Sequence, residues 1–258
     1  MRRGVLETAI SGRKTRTSHA QVVDELGREI ISGHYPVGMT LPGDFDLAQR
    51  FRVSRTVLRE AMKTLAAKGL IVPRARIGTK VTPQNQWNLF DGDVLTWHFH
   101  KGVDQEFLQH LTEIRLAFEP FAASLAAENA DSDDIKQLYE LAEDMGNPAH
   151  TPGTLAVSDL KFHLAIAEAS RNPFMRTVGS LIEAALVGIF KLSSPEANEN
   201  RTAEVSARHR LIVDAIADRD KQQAAQAMRD VILEGRERVS SVLVEHRSTP
   251  ARQREPES

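Results

Sequence analysis

The chain has 258 residues, of which 41% are hydrophobic and 26% charged, a composition typical of a globular protein with one or two domains. It has no cysteine, which excludes disulfides, cysteine nucleophiles and thiolate metal sites. It also lacks an apolar run of about 18 residues that could span a membrane and a secretory signal after Met1, so we expect a cytoplasmic protein without membrane contact.

The net charge of −2 is unevenly distributed along the chain. Residues 1–83 contain 15 Lys and Arg against 7 Asp and Glu, a net charge of +8, whereas residues 84–258 carry −10. This asymmetry predicts that the N-terminal part binds a polyanion. Five of its basic side chains lie in residues 1–18, a predicted basic arm for which the alternative is a solvated tail.

Three helices are predicted in the first part of the chain. Apolar residues on one face predict a helix from His19 to Ser32, which Gly33 ends. A short second helix is predicted from Asp44 to Phe51. Ser54 is a good N-cap for a third helix that continues to about Lys68.

The third helix has an apolar and a basic face. Leu58, Ala61 and Leu65 lie on the apolar side. The opposite side carries Arg55, Thr56, Arg59 and Lys63. A short helix, a tight turn and a helix with a basic face are typical of a helix-turn-helix, in which the last helix enters the major groove. Guanidinium groups one turn apart can contact guanine or phosphate, so Arg55, Thr56 and Arg59 are predicted DNA contacts.

A two-stranded wing is predicted after this helix. Its strands would be Leu70–Pro73 and Thr79–Thr82, and the connection contains Arg74, Arg76 and Gly78. A basic wing tip can reach the DNA backbone or the minor groove. The alternative for these arginines is an ordinary solvated turn.

Short motifs run through residues 20–82. They are Gly38-Met39-Thr40-Leu41-Pro42, Leu47-Ala48, Val53-Ser54-Arg55, Val57-Leu58-Arg59-Glu60-Ala61, Leu65, Gly69-Leu70-Ile71 and Gly78-Thr79. Together they resemble the DNA-binding domain of the GntR family of bacterial transcription regulators. The resemblance implies that Arg55 and Arg59 contact double-stranded operator DNA and that the wing turn reaches into a groove.

One position departs from the family pattern. The family usually has an arginine where this chain has Phe45, so the affinity or the operator sequence is expected to differ. We hypothesise that Arg13, Lys14 and Arg16 of the basic arm compensate for the missing arginine.

Residues 83–103 are predicted to link two domains. Both tryptophans, Trp87 and Trp97, lie in this apolar segment, which predicts packing rather than a flexible Gly/Ser-rich linker. The motif Asp91-x-Asp93-Val94-Leu95-x-Trp97 resembles a GntR subgroup that responds to sugar acids such as galactonate.

Residues 104–245 are predicted to form an all-helical bundle that binds an effector and dimerises, followed by a disordered tail at residues 246–258. The predicted helices are 104–128, 132–145, 153–170, 173–192, 200–218 and 220–245. The predicted fold is therefore mainly α, with an N-terminal winged helix-turn-helix at residues 19–82 and a C-terminal all-helical bundle.

Three side chains of the bundle form a possible metal site. Asp159 and His163 are four residues apart and therefore share one helix face, and His209 lies on a later helix. One oxygen and two imidazole nitrogens suit Zn, Mn, Ni or Fe. The alternatives are a hydrogen-bonded surface pair and a structural histidine.

Four further motifs lie in this part of the chain. They are Glu113-x-Arg115-x-x-x-Glu119-Pro120, Asp159-x-x-Phe162-His163, Asn172-Pro173 and His209-x-x-Ile212. They resemble the FCD effector domain of FadR-type GntR regulators over residues 107–240. The resemblance implies a divalent metal at Asp159, His163 and His209, with a fourth position near Val231, which cannot ligate.

The effector is expected to be a small carboxylate. Arg115 can bind a carboxylate bidentately, although an ion pair with Glu119 is the alternative. Asn172 is a further candidate for the effector site, together with Glu119, although Asn172 is equally suited to cap the helix that starts at Pro173.

We predict a homodimeric repressor whose operator binding is controlled by a sugar acid such as an aldonate. The effector would favour one arrangement of the two DNA-binding heads and so shift the population. One alternative is a metal-dependent enzyme using Asp159, His163 and His209, but no His-Glu-x-x-His or nucleophile motif occurs. The other is an architectural DNA-binding protein without an effector.

Overall fold

A computed structural model describes residues 17–100, 105–179, 181–183 and 199–248. Arg13, Lys14 and Arg16 of the predicted arm, and the tail beyond residue 248, lie outside the described residues. The chain separates between Gln105 and Glu106 into two compact units. The described residues are mainly helical, as predicted, and among them no helix is long and apolar enough to cross a membrane.

In the described part of the N-terminal unit there are four α-helices, one hairpin and a single 3₁₀ turn at Gln84–Gln86. Its helices are α1 (Ser18–Ser32), α2 (Asp44–Phe51), α3 (Arg55–Ala67) and α4 (Gly92–His100). The Thr17 hydroxyl accepts a hydrogen bond from the Ala20 N–H at the start of α1, and Gly33 ends α1 with a φ of 87°. The three predicted helices are confirmed to within one residue at each end.

A tight turn joins α2 to α3. Arg52 adopts the left-handed conformation with a φ of 53°, which reverses the chain after α2. The Ser54 hydroxyl then accepts a hydrogen bond from the Val57 N–H at 3.3 Å, which confirms Ser54 as the N-cap. Leu47 of α2 and Leu58 of α3 are fully buried in one core, and this shared core holds the two helices together.

The wing is an antiparallel pair formed by β1 (Ile71–Arg74) and β2 (Gly78–Val81). Each strand lies one residue away from its predicted position, so Arg74 and Gly78 face each other as the last pair instead of lying within the connection. Gly78 has a φ of 105°, which favours glycine, and a Cβ there would lie 3.0 Å from Thr40 Cγ2.

The segment predicted as a linker belongs to the N-terminal unit and contains α4, a helix that the sequence analysis did not predict. The predicted packing of both tryptophans is confirmed, since Trp87 and Trp97 are buried. The Trp97 indole N–H donates to Asp24 of α1 at 2.9 Å. A Cβ at Gly27 would lie 2.4 Å from the Trp97 ring, so this glycine leaves the space that the indole fills.

The regular structure of the C-terminal unit, within residues 105–179, 181–183 and 199–248, is helical. Its helices are α5 (Gln105–Asn129), α6 (Ser132–Asp144), α7 (Pro152–Ala169), α8 (Pro173–Thr177), α9 (Glu199–Ala217) and α10 (Lys221–Ser248). The helix predicted for residues 173–192 begins at Pro173 but is interrupted by a turn at Val178, and residues 184–198 lie outside the described residues. Buried alanines of α5 (Ala122, Ala123, Ala126 and Ala127) form part of the apolar core of this unit, where small side chains allow close packing.

Candidate nucleic-acid interface and metal centre

The outer face of α3 is basic. Arg55, Thr56 and Arg59 are all exposed, whereas Leu58 and Leu65 on the other side of the helix are fully buried. Among the described residues, neither Arg55 nor Arg59 forms an ion pair. The three predicted DNA contacts therefore lie on one accessible face of the predicted recognition helix.

Phe45, the residue that departs from the family pattern, lies beside this face. Its side chain is 59% exposed at the second position of α2. The guanidinium carbon of Arg55 lies 5.9 Å from the centre of the Phe45 ring, a cation–π distance. The aromatic ring and the first arginine of α3 thus form one exposed pair.

The wing turn presents its basic side chains to solvent. Arg74 and Arg76 are both exposed, and Arg76 has a left-handed φ of 62°. The Ile77 N–H donates to the Arg74 carbonyl at 3.2 Å and closes the turn. Contact of Arg74, Arg76 and Gly78 with DNA stays a prediction.

The buried centre of the C-terminal unit brings together Asp159, His163 and His209. One ligand atom from each of these residues lies within 4.8 Å of the others. Asp159 Oδ1 is 2.9 Å from His209 Nε2 and 3.4 Å from His163 Nε2. Because α7 supplies the first two residues and α9 the third, the site depends on the packing of these helices around one point.

The other nitrogen of each imidazole faces a carbonyl or carboxylate oxygen. His209 Nδ1 lies 2.7 Å from the Val205 carbonyl oxygen, and His163 Nδ1 lies 2.5 Å from Glu119 Oε2. The second pair is close enough for an ion pair, although it lacks hydrogen-bond alignment. Contacts of this kind at Nδ1 leave both Nε2 atoms available to a metal ion, as is typical of metal-binding histidines.

Electrostatics keep the carboxylates of this centre ionised. Burial by itself would raise the pKa of Glu119, but the charges of Arg115 and His163 outweigh it and lower the pKa to about 2. The pKa of Asp159 is likewise lowered well below its usual value, because His163 and His209 offset the effect of burial. Burial would lower the pKa of His163, but Glu119 and Asp159 raise it to about 9.

The residues present fit a divalent metal. Asp159 Oδ1 and His209 Nε2 lie 2.9 Å apart but lack hydrogen-bond alignment. Among the described residues, both are buried polar atoms without a hydrogen-bond partner, and such atoms are costly unless a ligand satisfies them. Two imidazole nitrogens and a carboxylate oxygen are suitable ligands for Zn, Mn, Ni or Fe. Val231, at the expected fourth position, is buried among apolar residues and offers no ligand.

The three predicted effector residues lie in different surroundings. Arg115 and Glu119 form a buried ion pair through Arg115 Nε, which was the alternative interpretation of Arg115. Burial would lower the pKa of Arg115, but the charge and hydrogen bond of Glu119, with a smaller contribution from Asp159, raise it. Asn172 caps α8 by accepting from the Phe174 N–H at 3.0 Å. Their contacts with an effector stay predictions.

Sequence reasoning missed three contacts. It did not predict that Glu119 faces His163, because these residues come from α5 and α7, and spacing along one helix carries no signal for the pair. It also missed the ion pairs of Lys68 with Asp91 and Asp93, which join α3 to α4. The sequence signal available for these ion pairs was the presence of Asp91 and Asp93 close together in the tryptophan-rich segment.

Comparisons with known proteins give a consistent result for both units. Residues 18–81 match the model of bacterial regulatory proteins of the gntR family, and residues 110–234 match the FCD domain. The chain is 34% identical to the uncharacterized HTH-type transcriptional regulator YieP of Escherichia coli over 80% of this chain and 88% of YieP. It is 30% identical to the galactonate operon transcriptional repressor of Escherichia coli, over 86% of this chain and 96% of the repressor.

Another relative and one solved structure extend the comparison. The transcriptional repressor NanR of Klebsiella aerogenes is 29% identical over 80% of this chain and 79% of NanR. Lar, which controls the expression of the Listeria monocytogenes agr system, has the same fold with a TM-score of 0.60, at 18% identity over 89% of this chain and 99% of Lar. The chain therefore belongs to the gntR family of bacterial transcription regulators, as a FadR-type member with an FCD effector domain, and is not an enzyme.

Proposed function

We propose that this regulator is a homodimeric repressor that releases operator DNA when a sugar acid binds at a divalent metal in the FCD domain. The observation that carries the proposal is the convergence of Asp159, His163 and His209 in the buried centre of that domain. Similarity to the galactonate operon repressor and to NanR supports repression and suggests an aldonate or a related hydroxy acid.

The effector site is proposed to combine the metal with Arg115. A hydroxy acid can chelate a metal ion through its hydroxyl and carboxylate oxygens, and a guanidinium matches a carboxylate with two parallel hydrogen bonds. Arg115 uses Nε and Nη2 for Glu119, and a guanidinium has five N–H donors, so three remain for a ligand. Asn172 is proposed to border the same site.

DNA binding is proposed to depend on Arg55, Thr56 and Arg59, with Arg74, Arg76 and Gly78 of the wing contacting the backbone or the adjacent groove. An operator selected from random DNA with the full-length protein provides the probe. We expect Arg59→Ala to weaken operator binding at least tenfold, since the homodimer would lose a bidentate base contact of about 1–3 kcal/mol in each half-site. Binding is measured by fluorescence anisotropy.

Lys63→Ala is the matched control, because it removes the same charge from an exposed position of α3 where the side chain pairs with Glu60 at 2.8 Å. We expect at most about a threefold effect, or about 0.7 kcal/mol, which lies within the range of an exposed surface charge pair. Equal losses in both variants, or an unaffected Arg59→Ala, would contradict the assigned recognition helix.

The effector proposal is tested with chelator-treated protein, reloaded with Zn, Mn or Ni, and a panel of aldonates. We expect an aldonate to release the operator only after metal is added. Asp159→Asn removes one ligand charge at nearly constant volume and should abolish the response while operator binding remains. A panel without effect on any metal-loaded form would overturn the sugar-acid proposal and leave DNA binding unaffected.

A further inference from the structure

The exposed Phe45 ring lies on the basic side of the N-terminal unit. Leu47 fills the core contact of α2, whereas Phe45 is 59% exposed and therefore contributes little to the core. Its sequence neighbours Asp44 and Asp46 are exposed acids. The ring is therefore accessible to a partner, and its position beside the basic face of α3 indicates which partner that would be.

The position of Arg55 indicates that such a partner would be bound on the face of α3 that is predicted to contact DNA. Its guanidinium carbon is 5.9 Å from the Phe45 ring centre, and Arg55 is the first residue of α3, directly after the Ser54 N-cap. The first residues of a recognition helix are the ones that reach base edges. The Phe45 ring and the predicted base-reading arginine are therefore close enough to contact neighbouring base pairs.

The chemistry of the ring limits what it can recognise. The GntR family usually has an arginine at this position, which can bind phosphate or guanine, but a phenyl ring has no hydrogen-bond donor. With Asp44 and Asp46 beside it, this part of α2 also has no positive charge with which to attract phosphate. The apolar group that bases present in the major groove is the 5-methyl of thymine.

We propose that Phe45 is a specificity-determining residue that contacts a thymine 5-methyl next to the base pair contacted by Arg55. The contact replaces an ionic interaction with an apolar one, so this operator differs from that of an arginine-bearing relative at one base pair in each half-site. The cation–π contact with Phe45 also restricts the orientations of the Arg55 guanidinium before DNA binds. This inference rests on the proposed binding of operator DNA.

The test replaces each operator thymine in turn with deoxyuridine, which lacks only the 5-methyl. The operator is selected from random DNA with the wild-type protein, and anisotropy measures the Kd. We expect one position in each half-site where uracil weakens wild-type binding about fourfold, the loss that corresponds to about 0.8 kcal/mol for one buried CH₂-sized group. The Phe45→Ala variant should bind the operator more weakly than the wild type. Replacing the same thymine with deoxyuridine should then have no further effect on its Kd.

Two further variants test whether the thymine effect depends specifically on the Phe45 ring. Phe45→Arg should lose the thymine effect and should steepen the dependence of log K on log salt by about 0.9 for each phosphate gained. Ile77→Ala removes another apolar side chain of the same unit, 58% exposed at the wing, and should keep the thymine effect of the wild type. Thermal unfolding checks that each variant is folded.

The outcomes separate this inference from the proposed function. If the wild type selects no DNA sequence, operator binding itself fails. If the wild type binds an operator but its uracil profile is flat, or matches that of Phe45→Ala at every position, the thymine contact is overturned while DNA binding stands. A profile that changes only in the Phe45 variants supports the contact.

Discussion

Glu119 contacts both Arg115, the proposed effector-binding residue, and His163, a proposed metal ligand. It accepts from Arg115 on its own helix and faces His163 Nδ1 of α7 at 2.5 Å. The carboxylate is held ionised, with a pKa of about 2. A carboxylate beside the outer nitrogen of a metal-binding imidazole orients the ring and increases its basicity. Glu119 is therefore a positioning residue for His163.

We expect Glu119→Gln to weaken metal binding about tenfold to a hundredfold, the usual range for such outer contacts. The amide keeps the side-chain volume but removes the charge that faces His163. Competition with a chromophoric chelator measures the Kd for Zn. Glu113→Gln, on an exposed position of the same helix, is the control and should bind Zn as the wild type does. Equal affinities in all three proteins would refute the positioning role.

At the scale of elements, Asp91 connects the start of α4 to the end of α3. Its Oδ1 accepts from the Asp93 and Val94 N–H groups at 3.0 and 3.2 Å, which caps α4. Both Asp91 oxygens also accept from Lys68 Nζ, which follows α3. Burial would lower the pKa of Lys68, but hydrogen bonds to Asp91 and Asp93 raise it above its usual value. The ammonium is therefore stabilised at neutral pH, and this contribution to stability is lost as the pH rises through the raised pKa.

We expect Asp91→Ala to destabilise the N-terminal unit by about 2 kcal/mol, since the variant loses a helix cap and leaves Lys68 with one partner. Asp93→Ala is the matched control. Asp93 also pairs with Lys68, at 2.9 Å, but it is 60% exposed and caps nothing, so its loss should cost less than about 1 kcal/mol. Urea unfolding at pH 7.5, followed by tryptophan fluorescence, compares the two. Similar losses would show that the cap contributes little.

For the whole molecule, the two compact units carry different chemistry. The N-terminal unit exposes the basic face of α3, and the C-terminal unit encloses the Asp159, His163 and His209 site. Both tryptophans of the chain, Trp87 and Trp97, belong to the N-terminal unit. Tryptophan fluorescence therefore reports on the N-terminal unit alone, whereas far-ultraviolet circular dichroism reports on the helices of both.

We expect Zn to stabilise the C-terminal unit selectively. At a free concentration a hundred times the Kd, a ligand that binds only the folded state stabilises it by about 2.7 kcal/mol. For a unit of this size, that corresponds to a rise in Tm of about 8 °C. The circular dichroism transition should rise relative to chelator-treated protein, while the fluorescence transition stays in place.

Asp159→Asn supplies the control for this measurement, because it removes a metal ligand without changing the core. Its circular dichroism transition should not respond to Zn. A Zn-dependent rise of the same size in this variant would mean that the metal binds elsewhere.

Local patterns in the sequence determined α1, α2, α3 and the hairpin of the N-terminal unit, and they identified the candidate residues of both sites. Ser54 predicted the start of α3, because a hydroxyl at an N-cap acts within one turn of chain. The spacing of Asp159 and His163 placed both on one helix face for the same reason. Each predicted strand of the wing differed from the observed strand by one residue. The reason is that hairpin register depends on cross-strand contacts and on the turn between Arg74 and Gly78.

Only the tertiary structure decided which distant residues meet. It brought His209 of α9 to Asp159, placed Glu119 opposite His163, and packed Trp97 into the space beside Gly27. It also turned a predicted linker into α4, because the packing of Trp97 against Gly27 and Asp24 of α1 stabilises a helix too short to be stable by itself. Contacts between helices depend on the packing of whole faces, and spacing along a single chain does not encode which faces will pack.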